Sequence, residues 1–187
     1  MGKAIEVRVI PAVGGRSAPT LYLLNGAAGG EGASSWFDQT DIRSYFAREN
    51  VNVVVPMGGA ASYFTDWRRA DPVLGVQKWA TFQSQELPRV IDRRFDANGR
   101  NAIAGISMAG TSVFQLSMRA PSLCRAIGSF SGCAQTSDPV GQAVVRLVVE
   151  GRGGGNTMNM WGPPTDTAWR RNDPLLHIDQ FLSLIHI

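Results

Sequence analysis

Residues 101–116, Asn-Ala-Ile-Ala-Gly-Ile-Ser-Met-Ala-Gly-Thr-Ser-Val-Phe-Gln-Leu, decide how this chain is read. An apolar run from Asn101 to Ile106 has the character of a strand, and helix-forming residues begin at once at Met108 and continue to Arg119, with Pro121 as the stop. Between the two sits Ser107. A serine on a strand-to-helix turn projects its hydroxyl beyond the sheet, beside the positive end of the helix, and the turn closes only if its neighbours are small. Gly105, Ala109 and Gly110 meet that condition. The strict Gly-x-Ser-x-Gly pattern is missed by one methyl group at Ala109, and the same residues also suit an ordinary serine N-cap.

Working outward, short β-type runs alternate with helical stretches, as in repeated βα units around a mostly parallel sheet. Ala4 to Ile10 alternates like an edge strand. Thr20 to Leu24 and Val51 to Val55 are apolar and end in glycine-containing turns, as buried strands do. Asp41 to Glu49 reads as a short helix, Trp79 to Phe95 as a longer one, Ala126 to Phe130 as a strand and Val140 to Val149 as a helix. From Gly151 to Pro174, Gly, Asn, Pro and Trp dominate, and a long loop is expected. The fold class is therefore α/β, with one domain over residues 1–181.

Composition narrows the function. The 187 residues carry 18 basic and 15 acidic side chains, a net charge of +3, and the cations are scattered, so neither a nucleic-acid partner nor a polybasic surface is expected. No apolar run reaches the length of a membrane span and no leader is visible at the start. Cys124 and Cys133 have no metal-ligand spacing, and the histidines are His177 and His186 alone, so neither a metal nor a cofactor is expected. The two cysteines fit a bridge or two inert thiols equally well.

A second element supports a catalytic reading of Ser107. The strand ending at Leu24 runs into Asn25-Gly26-Ala27-Ala28-Gly29-Gly30. In α/β-hydrolases one oxyanion donor comes from such a loop and the other from the residue after the nucleophile, here the backbone amides of Ala27 and Met108. A plain glycine-rich surface loop fits the same six residues.

Read together and in order, YLLNG (22–26), VVPMGGAASYFTDW (54–67), GISMAG (105–110), MWGPPTDTAWRRNDPLL (160–176) and the helix opening with Lys78 and Trp79 resemble the secreted mycolyltransferases of the antigen 85 family over nearly the whole chain. The resemblance implies an α/β-hydrolase fold and a serine enzyme that takes a mycolyl group from trehalose monomycolate onto Ser107 and passes it to a second sugar hydroxyl, on trehalose monomycolate or cell-wall arabinogalactan. A diacylglycerol acyltransferase side activity, residence in the cell envelope after secretion, and glycolipid partners go with it. Substrate contacts are implied at Asn25, Ala27, Ala28 and Gln135, or Asp138 in place of Gln135, while Trp36 and Trp161 are expected to line the acyl or sugar cleft. Ala27 and Ala28 replace a Leu-Arg pair of the family, which removes an arginine from the sugar contacts. Met57 to Trp67 is expected as a structured loop beside the site.

The serine needs a base and an orienting carboxylate, which follow it in the chain in this fold. His177 falls where the family has not yet reached its Glu and His, and reads as a surface histidine. His186 lies in LSLIHI (182–187), which matches a frame translation of a transposon-type sequencing adapter and reads as a non-native tail. Met1-Gly2-Lys3 resembles an internal family stretch, so a fragment cut at both ends is expected. A serine carboxylesterase of the same fold shares the elbow and oxyanion loop. An extracellular fibronectin-binding protein is the reading of a different class, its contact falling between Arg43 and Val53.

Overall fold

The structure, a computed structural model, describes residues 1–14 and 17–181; the expected tail 182–187, with His186, lies outside the described residues. Five strands form one sheet in the order β1-β3-β2-β4-β5: β1 (Val7–Ile10), β2 (Ala18–Leu24), β3 (Asn52–Pro56), β4 (Ala97–Ile106) and β5 (Ala126–Phe130). Only β1 is antiparallel, pairing Val7 with Pro56 and Ile10 with Val53; β2, β4 and β5 run parallel to β3. The helices are α1 (Trp36–Gln39), α2 (Ile42–Tyr45), α3 (Trp79–Thr81), α4 (Leu87–Arg94), α5 (Met108–Arg119), α6 (Pro139–Arg146), α7 (Thr157–Met160) and α8 (Thr167–Arg171).

Strand periodicity divides the core. Tyr22, Leu24, Val54 and Ile103 face one side with α4 and α5, and Leu23, Val53, Val55 and Ala104 face the other with Ile42 of α2 and Trp36 of α1. Both faces are apolar, so the middle strands read as continuous hydrophobic runs, as expected of a covered parallel sheet. Helix α5 is buried almost all round, from Met108 to Val113 and on to Ser117, because it lies between β4, β5 and the C-terminal helices. This is the expected α/β-hydrolase-like arrangement, and each expected strand is present with its ends moved by a few residues.

Two stretches differ from their sequence reading. The helix expected from Trp79 to Phe95 contains a widened π turn over Phe82–Glu86, just before Pro88, which has no N–H to donate back to the preceding turn. The loop expected from Gly151 to Pro174 contains α7 and α8. Asn156 and Asp166 start them, each accepting the backbone N–H two residues on at 2.8 Å, and Trp161 packs edge-on against Trp169 at 5.1 Å. Glycines and prolines masked these two short helices because their stability comes from caps and buried tryptophans rather than from periodicity.

The α8 cap is also one side of an ion pair. Arg68 donates two hydrogen bonds to Asp166, at 2.6 and 2.5 Å, and this guanidinium, followed by the Ala168 amide, lowers the Asp166 pKa from 3.8 to about 2. A depressed carboxylate stabilises the fold above its unfolded pKa and ceases to do so as pH falls through its folded one. The melting-temperature difference between the wild type and Asp166→Asn is therefore expected to be full above pH 3.8 and to vanish toward pH about 2. A difference that stays constant through acid would show that the charge of Asp166 contributes nothing.

Cys124 and Cys133 are both free, and burial pushes the Cys124 thiol up to about 12.

Candidate active site

The site begins with a backbone constraint. Ser107 has φ 58° and ψ −122°, a left-handed conformation that side-chain-bearing residues rarely adopt, at an estimated cost of about 1–3 kcal/mol. The surrounding chain imposes it. Ser107 donates its N–H to the Phe130 carbonyl of β5 at 2.8 Å, its own carbonyl accepts the Gly110 N–H at 2.9 Å, and α5 starts on the next residue. The turn is closed so tightly that a Cβ on Gly105 would stand 2.5 Å from the Ala109 carbonyl oxygen, and one on Gly110 would stand 2.8 Å from the Gly132 backbone. Strand, strained serine and helix thus have the geometry of a nucleophile elbow. Gly105→Ala is expected to destabilise the fold by about 1–3 kcal/mol through overpacking, measured by denaturant titration. An unchanged midpoint would mean that the turn is looser than its geometry.

The loop after β2 lies against this elbow. A Cβ built on Gly26 would fall 3.7 Å from Ser107 Cβ, so the chain passes immediately beside the serine. A turn from Gly26 to Gly29 follows, with the Gly29 N–H donating to the Gly26 carbonyl at 2.9 Å. The Ala27 and Met108 N–H groups donate to no protein acceptor among the described residues. Met108 opens α5, where the first-turn amides have no intrahelical partner and carry the positive end of the helix dipole.

The stretch from Met57 to Lys78 holds both pieces in place. Gly58 and Ala61 donate backbone N–H groups to the carbonyls of Gly29 (2.7 Å) and Ala27 (2.8 Å), and the Tyr63 N–H reaches Met108 Sδ at 3.3 Å. The stretch is anchored by buried Trp67 and Trp79, whose indole N–H groups donate to the Ser62 carbonyl and the Gln77 side chain at 3.0 and 2.6 Å. Its place beside the site is where the sequence put it.

The Esterase family model matches residues 1–183. The chain belongs to the esterase family. It is 33% identical over 190 residues to "Diacylglycerol acyltransferase/mycolyltransferase Ag85A" of Mycobacterium leprae, covering 98% of this chain and 56% of that protein. Identity is also 33% over 189 residues to the Ag85B protein of the same description from Mycobacterium avium, with 97% and 56% covered. The chain therefore spans about half the length of these relatives. The solved structure of Mycobacterium tuberculosis MPT51 (FbpC1) superposes with a TM-score of 0.82 at 27% identity, over 96% of this chain and 65% of that one. FphF, a fluorophosphonate-binding serine hydrolase of Staphylococcus aureus, shares the fold, with a TM-score of 0.72 at 16% identity.

The residues singled out from sequence separate into those that line hollows beside the elbow and those held in the core. Ala27 and Ala28 line a groove of about 360 Å³. Trp36 shares a smaller hollow of about 190 Å³ with Ile106, the residue before Ser107, and meets the Phe130 ring edge-on at 6.3 Å. Its indole N–H donates to the Leu24 carbonyl at 2.9 Å, which fixes the ring. Asn25, expected among the substrate contacts, is 1% exposed: its oxygen accepts the Trp36 N–H at 3.1 Å and its NH₂ donates to the Pro56 carbonyl at 3.2 Å. It ties β2, β3 and α1 together beneath the loop. Trp161, expected in the cleft, is 2% exposed and packs on Tyr63 and Trp169 in the core.

Gln135 is exposed on the loop after β5, where its carbonyl accepts from Cys133 Sγ at 2.9 Å. Asp138, the other candidate there, caps α6 by accepting the Gly141 N–H at 2.7 Å. His177 lies by the Arg170 carbonyl at 3.3 Å and Gln180 at 3.4 Å, and the hollows it lines contain neither Ser107 nor its chain neighbours. Among the described residues no group of three or more His, Cys, Asp or Glu is placed to hold a metal ion, and no helix is long and apolar enough to cross a membrane.

Sequence reasoning did not single out Gly26, where the loop passes beside Ser107, nor Glu31 and Arg152, which line the Ala27–Ala28 groove. The Gly26 signal was its place directly after the strand. Arg152 comes from 45 positions beyond Ser107, and only the folded chain brings it there.

Proposed function

We propose that this protein is a serine acyltransferase that moves mycolyl groups from trehalose monomycolate to a second sugar hydroxyl, on trehalose monomycolate or arabinogalactan, by way of an acyl-Ser107 intermediate. The observation that carries the reading is the left-handed Ser107 at the head of α5, with two unspent amides beside it. In the first step Ser107 Oγ attacks the ester carbonyl, the developing oxyanion takes hydrogen bonds from the Ala27 and Met108 amides, and the sugar oxygen leaves as an alcohol with the proton lost from the serine. In the second step a sugar hydroxyl attacks the acyl-serine, the Ser107–acyl bond breaks, and the serine recovers a proton.

The similarity to proteins described as acyltransferases and mycolyltransferases supports transfer over hydrolysis, as do Arg152 and Glu31 in the groove beside Ala27 and Ala28 and the apolar surface of Ile106, Phe130 and Trp36. Ala27, Ala28 and Gln135 are the contacts proposed toward the sugar and Trp36 toward the acyl chain; Asn25 and Trp161 act through the loops they hold. Diacylglycerol acylation is the side activity that the same intermediate permits. Secretion to the cell envelope and glycolipid partners belong to this reading. A fibronectin contact would fall between Arg43 and Val53, where Tyr45 is 69% exposed while Asn52 and Val53 are buried in β3.

The deciding experiment supplies the complete natural protein carrying this sequence with a mycolyl or long-chain acyl ester of trehalose, and follows both free acid and acylated acceptor. Acylated sugar as the main product supports transfer. Free acid alone, at any acceptor concentration, would make the protein a carboxylesterase.

A further inference from the structure

The walls of the groove beside the oxyanion loop are alanine and glycine, with Ala27 and Ala28 meeting Ala60 and Ala61, and its charged residues are Arg152 and Glu31. Walls of that composition offer no side-chain hydrogen bonds, so polar recognition there falls to backbone groups and to this one cation and one anion. Arg152 is set in a fixed stretch of chain. A Cβ on the following Gly153 would overlap the Ala61 methyl, the Gly155 N–H donates to the Val149 carbonyl at 3.0 Å, and the Asn156 N–H donates to Asp71 at 3.0 Å. Asp71 is itself a buried hub: burial works against its charge, but the Asn159 side chain and the Leu74, Val73 and Asn156 amides outweigh it and keep its pKa low. The backbone that presents Arg152 is therefore locked to the loop that flanks Ser107.

No ion pair among the described residues engages either Arg152 or Glu31. A guanidinium donates in a rigid fork and a carboxylate accepts, so the two together satisfy hydroxyls, each of which both donates and accepts. A phosphate-headed ligand would gain from Arg152 and be repelled by Glu31. Ala27, which lines the groove, follows directly on Gly26, where the loop passes beside Ser107, so an occupant of the groove lies against that loop.

We propose that Arg152 and Glu31 form the headgroup-recognition pair of this site, selecting a neutral polyhydroxylated group such as a sugar. The assignment rests on the acyl-transfer reading given above. It makes Arg152 a specificity residue with no part in bond making.

The test compares, in the complete natural protein, a fatty-acyl ester of trehalose with a sugar-free chromogenic ester of the same acyl chain. Arg152→Ala is expected to raise KM for the sugar ester about tenfold or more, the scale of a lost charged hydrogen bond, and to lower the sugar-to-chromogenic ratio of kcat/KM by the same factor. Glu31→Gln is expected to lower that ratio as well, and Arg152→Lys to restore part of it, with melting curves confirming that each variant is folded. An unchanged ratio in Arg152→Ala, or tighter competition by a phosphate-headed ester than by trehalose, would overturn the pair. Failure of the underlying reading is seen separately: if Ser107→Ala keeps activity on both esters, the acyl-enzyme itself is wrong, whereas loss in Ser107→Ala with an unaltered ratio in Arg152→Ala removes only the headgroup assignment.

Discussion

Ser107→Ala is expected to abolish acyl transfer by the complete protein, with a loss on the order of 10⁶ in rate constant if the serine works as nucleophiles do in comparable triads. The expectation follows from position as well as residue type. Among the described residues only Ser107 combines a hydroxyl with the left-handed turn at the head of α5 and the free amides of Ala27 and Met108. Ser131 also has positive φ, but it is exposed on the loop after β5 and no helix starts from it. The variant should leave the fold intact, because the Ser107 N–H bond to Phe130 is made by the backbone and survives the change. Strain provides an independent check: Ser107→Gly should be more stable than Ser107→Ala by roughly 1 kcal/mol, since glycine holds a positive φ without steric cost. Acyl transfer that persists in Ser107→Ala at the wild-type rate would remove the nucleophile assignment, and equal stability of the two variants would remove the strain.

The elbow was legible in the sequence because each of its parts is local. Gly105, Ser107, Ala109 and Gly110 lie within six positions, and the β and helical patterns on either side change period at Ser107 itself. The same holds for β2 and β3, whose apolar runs are buried on both faces and so need no partner to be recognised. Asn25 shows where local reading ends. Its place in the chain, directly before the oxyanion loop, is the place of a contact residue, but both ends of its amide are drawn downward by Trp36 and Pro56, and nothing in the sequence reports which way a short polar side chain turns. Trp161 was misleading for a related reason. A tryptophan in a Gly- and Pro-rich stretch reads as an exposed cleft residue until the caps at Asn156 and Asp166 fold that stretch into α7 and α8 and turn its indole toward Tyr63. Arg152 carried no signal at all, since its nearness to Ala27 depends on Gly153 fitting against Ala61 across the tertiary structure.

The 187-residue chain, produced as it stands, is expected to be nearly inactive toward a short-chain chromogenic ester beside the complete open reading frame. Its elbow, the loop from Asn25 to Gly30 and the groove with Arg152 are all formed, so the binding and oxyanion stabilisation proposed for them would remain available. What it lacks, among the described residues, is a base at Ser107. His177 is the one described histidine, and its ring is occupied beside the Arg170 carbonyl and Gln180, in hollows formed by Arg119, Arg171 and Leu176 rather than by the elbow. A serine hydroxyl of ordinary acidity is a weak nucleophile without a base to take its proton. Catalysis by the remaining parts amounts to about 10³ to 10⁴ over water when triad members are removed, which leaves turnover on the order of 10⁶ below a complete triad. Stability works in the same direction. Among the described residues β5 forms one edge of the sheet with no further strand beside it, and Ile106 and Phe130 expose 41% and 53% of their surfaces, so self-association of the chain through this edge is expected. Light scattering and ester hydrolysis, measured on the two proteins under one set of conditions, test both parts. Equal turnover would require His177, or His186 outside the described residues, to reach Ser107, and the account of the missing base would have to be abandoned.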